Sequence, residues 1–124
     1  MLINEYFQQI ESQIASHIHI LETSLLKDKR SAHIGIVEGE LLFKDETVLH
    51  FIEFVNVKDS IQVYKYSCHY HDREGELIFR YDMAPHHREI DTFPHHKHVY
   101  PDALIKTSVP TLAKVLDEID DLIA

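Results

Sequence analysis

Between Ala32 and Met83 the chain runs through apolar-rich segments whose connections are too short for anything but hairpins. "AHIGIVEGELLF" is followed by "KDET", "VLHFIEFVNV" by "KDS" and "IQVYKYSCHYH" by "DREGE", before "LIFRYDM". A parallel crossover takes a dozen residues or more, so successive segments have to pair antiparallel. Their β-branched and aromatic content suits strands. Gly35 and Gly39 mark twist, a bulge or close packing in the first of them. A meander sheet is therefore the frame that everything else must fit.

The flanking segments have a different period. In "LINEYFQQIESQIA", Leu2, Ile3, Tyr6, Phe7, Ile10 and Ile14 recur at three- and four-residue steps, which predicts an amphipathic helix. From His17 the pattern alternates through Ile18 and Ile20 toward Leu26 and reads as an edge strand. At the other end, Leu112, Val115, Leu116, Ile119 and Leu122 form a helical stripe, with Ser108 or Thr111 near Pro110 as its start. The expected fold is α+β: an antiparallel four- to five-stranded meander sheet, with the N- and C-terminal helices mainly on one face. Residues 84–110, punctuated by Pro85, Pro94, Pro101 and Pro110, read as one long loop.

With turns centred on Asp45-Glu46, Lys58 and Glu74, the period of two sorts side chains onto two faces. Val37, Leu41, Phe43, Val48, Ile52, Phe54, Tyr64, Tyr66, Cys68, Tyr70, Leu77, Phe79, Tyr81 and Met83 form the core face. Glu38, Glu40, Glu53, Lys65, Ser67, His69, Arg80 and Asp82 form the polar face, with Leu42, Leu49 and Phe51 among them. This register sets Glu38 opposite Glu53, Lys65 opposite Asp82 and Ser67 opposite Arg80. One bulge would flip part of it.

The 124 residues suffice for a single domain spanning 1–124. One cysteine, Cys68, excludes an internal disulfide and suits a reducing compartment. The N-terminus lacks a basic stretch followed by a clean apolar one, and no run approaches the length of a membrane span. A cytoplasmic protein with no membrane partner is expected. The net charge of −9 argues against nucleic-acid binding, which usually shows as a basic surface. A local basic site on an acidic chain remains open, as does a basic partner protein.

The histidines are the conspicuous chemistry. The chain has 11, and His86, His87, His95, His96 and His98 cluster around Pro85 and Pro94. "YHDREGELIFRYDMAPHHREIDTFPHHKH" resembles the signature of the TumE-type family, the toxin halves of prokaryotic toxin–antitoxin pairs. "VEGELLFKDETVLHFIEFV" is similar to that family's hairpin, with Glu46 where the turn usually has glycine. The resemblance is good over residues 31–98 and looser in the terminal helices. It implies a toxin acting with a helix-turn-helix antitoxin, and a ribonuclease activity. Carried over by motif, the matching positions are Arg80, Tyr81, Asp82, His86, His87, His95, His96 and His98.

Metal-independent RNA cleavage needs a base for the 2′-hydroxyl, an acid for the leaving oxygen and cations for the phosphorane. Histidine suits the first two because its pKa lies near the working pH. His69 or Glu53 could be the base, His96 or His98 the acid, and Arg80 with Lys65 or Lys97 the phosphate clamp. Tyr81 or Phe93 could stack an unpaired base, with His86 and His87 in the substrate-binding set. Tyr66 could also stack, but core packing is the better reading for it. Chemical economy then requires "FPHHKH" to fold over the polar face, bringing His96 or His98 within about 8 Å of Arg80.

Plainer readings stand beside these. Arg80 could be a surface ion pair with Glu38 or Asp82, and His69 an ordinary solvent-facing strand residue. His96 and His98, with His86, His87, Asp82 or Asp91, could converge on a metal, although Lys97 disfavours added positive charge there. A third reading gives the histidines only backbone-binding roles that hold the loop. The reading adopted assigns no metal or other cofactor and takes RNA as substrate. Its alternative is a non-catalytic metal- or protein-binding module on the same fold. A homodimer is compatible with the sequence.

Overall fold

The computed structural model describes residues 1–83, 95–99, 103–106 and 111–123. Helix α1 (Ile3–Ala15) leads into strands β1 (Ile20–Lys29), β2 (Ile34–Phe43), β3 (Val48–Asn56), β4 (Gln62–His71) and β5 (Leu77–Met83). Two short strands follow, β6 (His95–Val99) and β7 (Ala103–Lys106), and then helix α2 (Leu112–Ile123). All strands pair antiparallel with their sequence neighbours, giving a 7-stranded sheet in the order β1 to β7. The α+β class and the meander are as expected, and the first five strands are those that the sequence pattern predicts.

Residues 84–110 depart from the expected single loop, because β6 and β7 lie inside that range. The prolines suggested otherwise. In the sequence, Pro94 stands just before β6 and Pro101 falls between β6 and β7, positions where a missing amide donor does no harm to the ladder. Without β6, the backbone of β5 would be left as an open edge. Pro85, His86, His87, Asp91 and Phe93 lie outside the described residues.

Both helices lay apolar stripes on one face of the sheet. Ile3, Tyr6, Phe7, Ile10 and Ile14 of α1 and Leu112, Val115, Leu116 and Ile119 of α2 join one buried cluster with Val37, Leu41, Phe43, Tyr70 and Phe79. Thr111 caps α2, its Oγ1 accepting the Lys114 amide at 3.2 Å. Leu2 and Leu122, assigned to the stripes from spacing, are more than half exposed. Gly35 permits the close approach of α1: a Cβ there would lie 2.7 Å from Ile3 Cγ1 and 2.9 Å from Phe7 Cζ. A Cβ on Gly39 would run into the Phe51 ring.

Strand β3 reverses the expected faces. Leu49, Phe51, Glu53 and Val55 are buried toward the helices, while His50, Ile52 and Phe54 face the other way. The cause is the β2–β3 turn. Glu46 takes φ 71°, and Leu42 rather than Phe43 pairs with Val48, so the turn carries one residue more than symmetric counting assumed. A one-residue slip exchanges the two faces of a strand. Glu38 consequently pairs with Ile52, and Val37 with Glu53. Tyr64 also leaves the core: a bulge at Phe54/Val55 puts it against Phe54, with ring centroids 5.2 Å apart.

Candidate functional site on the open sheet face

The register from β1 to β7 builds two parallel rows on the face away from the helices. One runs Ser24, Glu40, His50, His69, Arg80, His98 and Leu104. The next runs Leu26, Glu38, Ile52, Ser67, Asp82, His96 and Lys106. Directly paired residues in an antiparallel sheet have Cα atoms about 4.5–5.5 Å apart. Arg80 therefore has His69 as its partner on one side and His98 on the other.

Arg80 Nε lies 3.1 Å from Asp82 Oδ2, two residues along on the same face. The expected ion pair is present, with Asp82 and not Glu38 as the acid. The guanidinium is only partly covered, with 42% of the side chain's surface accessible. Glu38 instead pairs with His50, whose Nε2 lies 3.0 Å from its Oε1. His69 is held below the usual imidazole pKa by partial burial and by the charges of His71, Arg80 and His50. At neutral pH it is a neutral ring, with His71 at a centroid distance of 5.5 Å.

Lys65 is exposed on the same face, paired with Phe54. Ser67, not Lys65, stands opposite Asp82, and His69, not Ser67, opposite Arg80. That slip of two residues from the expected register leaves the faces of β4 and β5 unchanged. Lys97 pairs with Tyr81, which places it one position out of the His96 and His98 rows.

Glu53 and Tyr81 fall on the helix side. Glu53 is 8% exposed and accepts the Tyr6 hydroxyl at 2.7 Å. Burial raises its pKa, and the Tyr6 bond offsets part of the rise. Tyr81 donates to Glu118 Oε2 of α2 at 2.8 Å. Tyr66 is buried in the core, in line with its plainer reading. Sequence parity therefore misplaced Glu53, the sheet separating it from Arg80. His50, which the sequence leaves as structural or incidental, and His71, which it does not single out, also stand beside His69, and their alternation with apolar residues in β3 and β4 is the signal for that face.

Phe93 and Pro94 lie outside the described residues, and the rest of "FPHHKH" reaches Arg80 by pairing, with His98 opposite it, and not by folding over the face. The described segment, His95–Val99, joins the sheet edge-on as β6. Among the described residues, His17, Asp117 and Asp120 offer ligand atoms within 4.8 Å of one another. They stand where α1 ends against α2, and His17 Nδ1 is already 2.8 Å from Asp120 Oδ2. That contact ties the chain just after α1 to α2 and stands apart from the histidine rows of the open face.

A family profile described as toxin TumE matches residues 8–123. The chain belongs to the TumE toxin family. No curated protein and no solved structure gives a significant match. TumE membership makes the chain a toxin of a toxin–antitoxin system and implies a cognate antitoxin. The match takes in α1 from Gln8 onward, the whole of α2 and every strand, so it extends into the terminal helices where the sequence resemblance was loose. Among the described residues no helix of this TumE chain is long and apolar enough to cross a membrane.

Proposed function

We propose that this toxin is a metal-independent ribonuclease whose active site is the open sheet face around Arg80. The observation that supports it is the cross-strand order His69–Arg80–His98, a histidine position on either side of a partly exposed guanidinium. In this reading neutral His69 takes the proton from a 2′-hydroxyl, and the oxygen attacks the adjacent phosphorus. A protonated His98 gives its proton to the departing 5′-oxygen, with His96 as the neighbouring alternative. Arg80 holds the phosphorane's charge, and Lys65 extends the cationic path along β4. The products are a 2′,3′-cyclic phosphate and a 5′-hydroxyl.

Lys97, Phe93, His86 and His87 are assigned to substrate binding on the family motif. Glu53 and Tyr81 take no part in the chemistry because they face the helices. The chain acts in the cytoplasm as a single domain, with a helix-turn-helix antitoxin as its partner.

Induction in a bacterial host, with and without substitutions, tests the proposal. Growth arrest should be lost in Arg80→Ala and in His69→Ala and kept in the exposed control Lys58→Ala. Arrest that survives both active-site changes removes the row from the mechanism. The net charge of −9 favours a second reading, a toxin that works by binding a basic protein. In that case arrest would occur with cellular RNA intact.

A further inference from the structure

The helix side carries a feature that the open face does not use. Glu53 is a charged residue at 8% exposure, and it lines a cavity of about 290 Å³ between α1, the start of β4 and the first turn of α2. Its Oε1 accepts the Tyr6 hydroxyl at 2.7 Å. Across the same cavity the Gln13 side-chain carbonyl is buried with no hydrogen-bond partner among the described residues. Ile10, Ile61 and Val63 supply apolar wall. Beside Gln9 and Thr111, the polar lining thus holds two buried acceptors: a carboxylate met by a phenol, and an amide oxygen with no donor among the described residues.

A buried acceptor without a donor costs about 1–3 kcal/mol, and a buried carboxylate costs more unless a donor or cation meets it. Tyr6 supplies one donor, and among the described residues no cationic side chain pairs with Glu53. A group with several N–H donors and a positive charge would satisfy Glu53 and Gln13 together, while a short alkyl stem would fill the apolar remainder. Pockets of roughly 300–1,000 Å³ are typical of small-molecule sites, so the cavity suits a small ligand or one side chain.

We propose that the Glu53–Gln13 cavity is a binding site for an organic cation, an alkylguanidinium or alkylammonium group. The source is either a free small molecule or the Arg or Lys side chain of a partner protein, and the chemistry of recognition is the same. Burial pushes the Glu53 carboxyl toward its protonated form when the cavity is empty, and an entering cation favours the charged form again. The site is independent of the ribonuclease reading, because the sheet lies between it and Arg80.

The test uses the full chain and n-butylguanidinium, followed by NMR of the side-chain amides and by calorimetry. Gln13 and Gln9 amide signals should shift and saturate, and uncharged pentanamide should bind about tenfold more weakly or worse, reflecting the lost charge-assisted hydrogen bonds. Glu53→Gln keeps an acceptor for Tyr6 and should weaken n-butylguanidinium about tenfold. If that variant does not fold, the comparison of the two ligands on the wild-type chain still decides. Acetyl-Gly-Arg-Gly-amide separates the sources: binding comparable to n-butylguanidinium supports a partner's side chain, and binding of n-butylguanidinium alone supports a free cation. Equal affinity for the charged and uncharged ligands, no shift at Gln13, or unchanged affinity in Glu53→Gln overturns the proposal.

Discussion

Two hairpins of this sheet use the same turn with different residues at its critical position, so a pair of opposite substitutions probes one cause. In the β2–β3 turn, the Glu46 amide bonds the Phe43 carbonyl at 2.9 Å and the Phe43 amide bonds the Thr47 carbonyl at 2.9 Å. In the β4–β5 turn, the Gly75 amide bonds the Asp72 carbonyl at 3.0 Å and the Asp72 amide bonds the Glu76 carbonyl at 2.9 Å. The fourth residue of each is left-handed, Glu46 at φ 71° and Gly75 at φ 85°. That conformation costs an L-residue about 1–2 kcal/mol, and glycine adopts it freely. A Cβ on Gly75 would meet nothing within 4 Å, so packing does not complicate the substitution. Gly75→Ala should therefore destabilise by about 1 kcal/mol, the strain less the lower chain entropy of unfolded alanine. Glu46→Gly should stabilise by about 0.5–1 kcal/mol by the reverse argument. The Arg73–Glu46 ion pair that Glu46→Gly removes is solvent-exposed and weak, and Arg73 keeps its bond to Glu74. Urea denaturation of the three chains measures both changes. Equal stabilities, or a gain in Gly75→Ala, would refute the turn assignment and with it the explanation of the β3 faces.

On the helix side, burial raises the Glu53 pKa above 4.5, so folding takes up a proton there: its contribution is greatest below that value and is lost as pH rises through the raised pKa. Glu53→Gln should gain stability relative to wild type as pH climbs from about 4.5 toward neutrality, with a slope of up to about 1.4 kcal/mol per pH unit; a difference that stays constant in urea titrations across this range would contradict it. Gly39→Ala should cost about 1–3 kcal/mol through overpacking against Phe51 and Leu25, readable as a fall in thermal midpoint, and an unchanged midpoint would mean the Phe51 ring has room to move.

The meander and both helices were legible because connection length and hydrophobic period are local properties. "KDS" cannot span a crossover, and the stripe from Ile3 to Ile14 repeats at helical spacing. The faces of β3 were not legible, since apolar residues occupy both parities: Val48, Ile52 and Phe54 on one, Leu49, Phe51 and Val55 on the other. Only the turn decides between them, and its extra residue is hidden because glutamate stands where glycine would have announced a left-handed position. For the same reason Glu53 looked like a partner for Arg80. In β4 and β5 the slip was of two residues, so His69 and Arg80 kept their face and became direct partners. β6 was missed for its composition, since "HHKHV" has little intrinsic strand preference and gains its place from the open edge of β5.

The central claim is that a histidine–arginine row on the open face cleaves RNA without a metal. It is tested most directly by incubating the purified toxin with single-stranded RNA in excess EDTA and analysing the new ends. The expected result is fragments ending in 2′,3′-cyclic phosphate and beginning with a 5′-hydroxyl, made by wild type and lost in His69→Ala and Arg80→Ala. Intact RNA, cleavage abolished by the chelator, or cleavage by the two variants equal to wild type would contradict the claim.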